Sequence, residues 1–502
     1  MKLVCCESKK LPRLAWCAQI RKAGREITVN HGSLVETGPD YFFEGAWNGD
    51  FGNKDFGDAT ICAGSGGRLV STGILFSSPT DTLERLHVLR TKDAVLVSNS
   101  MAFLLAREGD SVDLEYPFYE PDLSSIVRGF RNYTKTIPTQ RGGRIRLYYY
   151  CNLLINEKLV LQKRPKNIPP PFADYAHYVG FLQQELDTLF RNAKSPNRKV
   201  GYEPLTTIST GYDSPACSVL ANRAGCSEAI TFWNARQQFA ERNDSGRRVA
   251  EHLGLHVTEF DSTDYLRMGG FPEAEFLAYG TGGEDVVMAA ASHSMRARVL
   301  VTGSIGGTVW DPNHGYNAPD IIRSDPSGAS MAEYRLRLGF IHVPLPFFGC
   351  LQKASIYRIS HSPEMQPWSI RPRYNRPIPR RIVEEAGVPR EWFGQIKKAI
   401  TQPIHQPLET TMSPESYADF MSFAKNLSFF RRGYYGFGFT LMRLAYRVNL
   451  RIMQIAQWRM KPRWWLLYPV VPERYRDKPS LNLFTFHWGI IKTMARYSKE
   501  NL

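Results

Sequence analysis

Apolar and polar positions change rhythm twice along this chain of 502 residues. Up to about residue 160, short β-branched and aromatic runs are separated by Gly, Asn and Asp, a texture that predicts strands. They read REITVNHGSLVETG, RLVSTGILFSS, DAVLVSNSMAFLLA and GRIRLYYYCNLLIN. The segment KRPKNIPPPFADY (163–175) predicts a linker, since Pro169, Pro170 and Pro171 suit neither a helix interior nor a central strand. Beyond it, strands and helices alternate. Val179, Leu182, Leu186 and Leu189 share one helical face in AHYVGFLQQELDTLFRNA. PLTTIS then predicts a strand, and SPACSVLANRAG a helix with Gly225 as its C-terminal cap. AITFWN, LHVTEFD and RVLVTG predict further strands, separated by helices in SGRRVAEHLG and EDVVMAAASHSMRA.

Such alternation predicts the α/β class, a doubly wound parallel sheet. From about residue 413 the chain turns helical and aromatic-rich in its pattern. In FTLMRLAYRVNLRIMQIAQWRM (439–460), Arg443, Arg447 and Arg451 fall at i, i+4 and i+8 and form one basic stripe. Three regions follow: a β-rich domain over 1–165, an α/β domain over 175–410, and a helical, basic extension over 411–502.

Composition and charge narrow this picture. An apolar content of 43% with 22% charged residues is globular, and the length exceeds one ordinary core. The eight cysteines never form C-x-x-C, which argues against a zinc site or a secreted disulfide framework and predicts a reducing cytoplasm. MKLVCCESKKLPRLAWC holds no signal-peptide core, and WWLLYPVV (464–471) is far short of the ~18 apolar residues of a membrane span. The net charge is +15, and the segment from Ser413 onward carries 15 Lys/Arg against 5 Asp/Glu. That asymmetry predicts an anionic partner. A cationic, aromatic tail suits a membrane surface, single-stranded nucleic acid, or plain packing against the body. Between the two partners the membrane surface is preferred, so the expected place is cytoplasmic, peripheral at the inner face of the membrane.

The stretch TTISTGYDSPA (206–216) carries the chemistry. A strand, a small-residue turn and a helix start together make an anion site, because helix N-terminal N–H groups lack partners and the dipole favours negative charge. Ser209 and Ser214 add hydroxyls, Gly211 allows close backbone approach, and Pro215 fits the first helical turn. Asp213 makes sense there if Mg²⁺ arrives with a polyphosphate. The pattern lacks the Gly-Lys-Ser/Thr of a Walker loop.

STGYDS resembles the S-G-G-x-D-S pyrophosphate loop of the N-type ATP pyrophosphatases. Its surroundings resemble the synthetase domain of asparagine synthase and β-lactam synthetase over 175–405, and weakly the amidotransferase-type domain over 40–160. The resemblance implies an ATP pyrophosphatase (adenine nucleotide α-hydrolase-like) fold, with ATP and Mg²⁺ as cofactors. It implies cleavage between the α and β phosphates and adenylation of a small-molecule or glycan carboxylate, which an amine or ammonia then converts to an amide. By the same resemblance Ser209, Thr210, Gly211, Asp213 and Ser214 hold pyrophosphate and metal, and Phe232 in ITFWN lies near adenine. Glu284 and Asp285 in GTGGEDVV form an acidic helix start. Gly303 and Ser304 belong to a second glycine turn, LVTGSIGGTVWD (300–311). Lys397 or Lys398, within 374–400, neutralises charge during adenylation.

Departures from the family pattern are specific. Thr210 replaces the first glycine of the loop. Lys2 stands where the glutaminase nucleophile would be Cys, so 1–165 resembles a non-hydrolytic amidotransferase domain. Gly307 occupies the place of a metal-binding Asp, for which Asp285 and Asp311 are the substitutes. The acid/base pattern is poorly kept near HVPLPFFG (342–349), with Glu364 as stand-in. A non-catalytic scaffold of the same fold and a loop-bearing tRNA-modifying enzyme are the alternatives; the second usually needs paired cysteines, absent here. His252 and His256 span a helix-to-strand junction and read as surface groups. Arg380 and Arg381 read either as phosphate partners or as a solvated face.

Overall fold

A computed structural model describes residues 1–22, 24–234, 243–313, 320–370, 374–397, 403–404, 407–427, 437, 440–448, 451 and 481–498. The N-terminal strands are β1 (Lys2–Glu7), β2 (Trp16–Arg21), β3 (Glu26–His31), β4 (Glu36–Thr37), β5 (Tyr41–Trp47), β6 (Cys62–Val70) and β7 (Gly73–Ser77). They continue with β8 (Leu86–Arg90), β9 (Ala94–Ser98), β10 (Thr136–Pro138), β11 (Arg144–Tyr148), β12 (Cys151–Ile155) and β13 (Leu161–Pro165). One sheet runs β1-β3-β2-β9-β8-β11-β10 and is antiparallel except at the β1–β3 pair; the other runs β13-β12-β7-β6-β5-β4 and is antiparallel throughout. Inward residues at alternate positions stack the two sheets. Trp16, Ala18, Ile20, Ile27 and Val29 meet Phe42, Phe76, Leu153 and Ile155 in one apolar layer.

Two expectations are corrected here. The apolar run MAFLLA continues no strand. Ser100 accepts the Phe103 N–H at 3.0 Å, the helix Met101–Glu108 follows, and Gly109 closes it at φ 64°. The proline segment also starts later than its composition suggests, because β13 pairs with β12 as far as Pro165 on the sheet edge, where a proline is tolerated.

The C-terminal half holds β14 (Glu203–Thr207), β15 (Glu228–Phe232), β16 (His256–Phe260), β17 (Arg298–Thr302) and β18 (Ile341–Pro344), all parallel and in the order β16-β15-β14-β17-β18. The chain winds outward one way from β14, then returns to place β17 on its other side. A doubly wound sheet opens a crevice at the carboxyl ends of the strands where the order reverses, here β14 and β17.

The halves are bonded together. The helix Tyr175–Ala193, capped by Asp174 on the His177 N–H at 2.8 Å, shares one core with Ala46 and Ala63 of the six-stranded sheet and with Ala216 and Leu220 beyond β14. Arg335, buried in the helix Met331–Leu338, reaches back to Glu44 at 2.7 Å and to Glu84. Part of 411–502 also belongs to the body. The helices Pro414–Lys425 and Thr485–Met494 bury Phe420, Phe486, Trp488 and Ile490, and the Trp488 indole donates to Asp419 at 2.7 Å. Among the described residues no helix is long and apolar enough to cross a membrane.

Candidate functional site

At the end of β14 the chain makes the turn Ile208–Tyr212 and enters the helix Asp213–Arg223. Ser209 Oγ lies 2.8 Å from Ser214 Oγ and accepts the Gly211 N–H at 3.2 Å, which curls the loop onto the helix mouth. Braces hold it from outside. The Thr210 N–H and hydroxyl donate to Asp244 at 3.3 and 2.5 Å, and the Gly394 N–H donates to the Thr210 carbonyl at 2.8 Å. Fully buried Arg380 donates to the Tyr212 hydroxyl. No side chain caps the helix start among the described residues, so it carries the partial positive charge that favours an anion.

Asp213 sits at this mouth with its Oδ1 shut off from solvent and without a hydrogen-bond partner among the described residues. The second glycine turn presses against it. A Cβ on Gly306 would stand 2.5 Å from Asp213 Cγ, and one on Gly303 2.8 Å from the Asp213 carbonyl carbon, so glycine is what lets the two turns meet. Between those glycines Ile305 holds φ at 64°, a left-handed conformation costly for a β-branched residue. Tyr374 is likewise left-handed at 54°, and its ring lies 4.8 Å from that of Tyr212. Strained backbone on two sides of one buried carboxylate is the signature of a site whose geometry is imposed by the fold.

Electrostatics agree. Burial pushes the Asp213 carboxyl up to about 6, while Arg376 and Lys397 pull it back and Asp311 adds to the rise. Arg376 is itself buried, paired with Asp311 at 3.0 Å and donating to the Gly307 carbonyl at 3.3 Å, and its Nε has no partner among the described residues.

The structure thus brings Ser209, Thr210, Gly211, Asp213, Ser214 and Gly303 to one crevice. Ser304 braces the second turn: its Oγ is 3.0 Å from Thr302 Oγ1, which lies 2.8 Å from His342 Nε2, and burial drives that imidazole down to about 3. Lys397 is exposed, and Lys398 lies outside the described residues. Phe232 is buried in the core beside Leu205 and Ile230, its ring 6.0 Å from that of Phe260, which leaves its face covered rather than open to a purine.

Asp285 is engaged elsewhere. It accepts the Gly328 N–H at 3.0 Å and, from Ser330, the N–H at 3.1 Å and the hydroxyl at 2.7 Å, and so fixes a turn. Asp311 faces Arg376 and accepts the Asn313 N–H at 2.9 Å. Glu364 pairs with Arg381 at 3.0 Å, and Arg380 is a buried brace, not a solvated face. No three His, Cys, Asp or Glu side chains gather as a metal cage among the described residues. The orphaned Asp213 oxygen does fit a cation that brings phosphate oxygens as its other ligands, the usual habit of Mg²⁺.

Sequence reading missed Arg376, Tyr374 and Asp244. Their only signal was a basic, proline-rich helix start in YNRPIPRR and an Asp in a loop more than thirty residues from the turn it holds. No protein-family model matches the chain, and no curated protein matches it. In the C-terminal region residues 440–448 are helical, with Leu441, Leu444 and Val448 exposed alongside Arg447; most of 449–480, including WWLLYPVV, lies outside the described residues.

Proposed function

We propose that this protein is an ATP-dependent, AMP-forming carbon–nitrogen ligase resembling asparagine synthase and β-lactam synthetase, with an ATP pyrophosphatase-type fold in its C-terminal half. The observation that carries the reading is the buried Asp213 oxygen, without a partner among the described residues, set between two glycine turns at the mouth of a helix and flanked by Arg376. The strand order, with that mouth at its point of reversal, supports it.

In this reading the Ser209–Ser214 loop and the helix start bind the β and γ phosphates. Asp213 holds Mg²⁺, which supplies charge neutralisation on those phosphates. The substrate carboxylate oxygen bonds to the α phosphorus as the bond to the β phosphate breaks, and pyrophosphate stays in the loop. An amine then displaces AMP from the acyl carbon and yields the amide. Lys397 and Arg376 offset the charge that builds as pyrophosphate separates. The carboxylate is a small molecule or a glycan, the amine comes from outside the chain, and glutamine is not hydrolysed by residues 1–165. The exposed Leu441, Leu444, Arg447 and Val448 support a membrane-surface location for the same enzyme; co-sedimentation with anionic liposomes tests that part.

ATP–pyrophosphate exchange over a panel of carboxylates tests the central claim. Exchange that Asp213→Ala abolishes, with the fold intact by circular dichroism, is expected; exchange unchanged in that variant refutes the assignment. Gly307, standing where a second acid is expected, favours one rival: a non-catalytic nucleotide-binding relative. That rival binds Mg-ATP by calorimetry yet exchanges nothing with any carboxylate.

A further inference from the structure

At the opposite ends of β17 and β18 from this crevice lies a second cavity of about 390 Å³. It is lined by Lys9, Lys10, Arg13, Arg296, Arg337 and Arg496, with Leu11, Pro12 and Leu338 completing the wall. These six cations come from four separate parts of the chain, so the fold itself assembles them. Among the described residues, buried Glu275 takes the Arg337 Nε–H at 2.7 Å and the Arg496 Nε–H at 2.7 Å. Two guanidiniums share that one carboxylate, so the group carries more positive than negative charge.

The wall is held in shape. The Ala297 N–H donates to the Gly339 carbonyl at 2.9 Å, which pins the turn carrying Arg296, and Ala297 adopts a left-handed φ of 54° there. The Leu14 N–H donates to the Leu336 carbonyl at 2.9 Å and ties the N-terminal segment to the helix that bears Arg337. Six cationic side chains around one concavity give it a positive potential that draws an anion. The volume falls within the ~300–1,000 Å³ of small-molecule sites. That size favours a compact, multiply charged ligand over the extended backbone of a nucleic acid.

We infer that this cavity is a binding site for a compact polyphosphate anion, either free in solution or displayed as a polyphosphorylated lipid headgroup. The inference uses nothing from the ligase reading. Guanidinium groups suit it because they contact phosphate oxygens in pairs, and the lysines add mobile point charges at the rim. A ligand here also joins the N-terminal segment, the α/β half and the C-terminal helix, so binding stabilises the folded chain by mass action.

The test is calorimetric titration of the full-length protein with inorganic triphosphate, alongside Lys9→Glu and Arg296→Glu. Both side chains are exposed, so their reversal leaves the fold intact, which unchanged circular dichroism verifies. A site weakened roughly tenfold or more by each reversal and further weakened by salt is expected; a site in the Ser209–Ser214 loop is told apart because both reversals leave it unchanged. Vesicles containing a phosphatidylinositol bisphosphate separate the two sources. Co-sedimentation that triphosphate competes away, and that both variants lose, assigns a headgroup; triphosphate binding without vesicle binding assigns a soluble anion. Absence of any triphosphate site that the two reversals weaken overturns the inference. Neither result touches Asp213, whose exchange assay stands apart.

Discussion

Replacing Asp213 with Asn should make the ligand-free protein more stable at neutral pH, the reverse of what deleting a charged residue usually does. Burial raises the carboxyl from its ordinary 3.8 to about 6. At 1.36 kcal/mol for each tenfold change in proton affinity, the ionised group costs the fold on the order of 3 kcal/mol. The direction follows from proton counting. Between the two values the folded state holds more proton than the unfolded one, so stability falls as pH rises from about 4 to 6, and the full cost is present above that window. Asn keeps the shape and removes the charge.

Urea unfolding followed by tryptophan emission measures this, since buried Trp310 lies in the same core as the Asp213 helix. Wild type and Asp213→Asn should nearly coincide at about pH 4, and the variant should lead by up to about 3 kcal/mol at pH 7.5. The same variant should lose Mg-ATP affinity, because the oxygen left open for a cation becomes an amide. A gap that is constant with pH, or a variant less stable than wild type at pH 7.5, would refute the idea that an unpartnered charge is stored there.

Three other perturbations probe the surroundings. Gly306→Ala, whose methyl would stand 2.5 Å from Asp213 Cγ, should displace that carboxylate and weaken Mg-ATP binding. Gly307→Ala, whose nearest neighbour is 3.8 Å away, should leave binding unchanged by calorimetry. Tyr212→Phe strips buried Arg380 of a hydrogen-bond acceptor and should cost about 1–3 kcal/mol in urea midpoints while loosening the loop; an unaltered midpoint would show the brace to be idle. Arg335→Met leaves Glu44 and Glu84 buried without their cation and should cost about 3–5 kcal/mol. Adding Glu44→Gln and Glu84→Gln to that variant should recover part of the loss, again by urea unfolding.

How far the sequence revealed all this depends on the range of each signal. The helix Asp213–Arg223 was legible because Pro215 marks its first turn and Gly225 its end, signals a few residues apart. The parallel α/β half was legible from its alternation, and the turn at Gly303–Gly307 through the family resemblance. MAFLLA was not, since a short apolar run has no period to separate strand from helix; the Ser100 cap decided it. Asp285 read as acidic and therefore available, but availability depends on three donors from residues 328 and 330. Phe232 read as an aromatic at a strand end, and only the packing of Phe260 shows its face to be covered. Arg376 lies over 160 residues from Asp213 in sequence, and no local pattern links a basic residue before a proline to a distant carboxylate.

The Arg335–Glu44–Glu84 cluster has a consequence for anyone who would divide this molecule. Its cation grows on the half with the crevice, and its anions on the half without it. Cutting between them would strand a bare guanidinium on one fragment and two acids on the other, each in a patch shaped for contact rather than for water. The β-rich portion thereby supplies the counter-charge that its neighbour's buried cation requires, so the two halves depend on each other for folding.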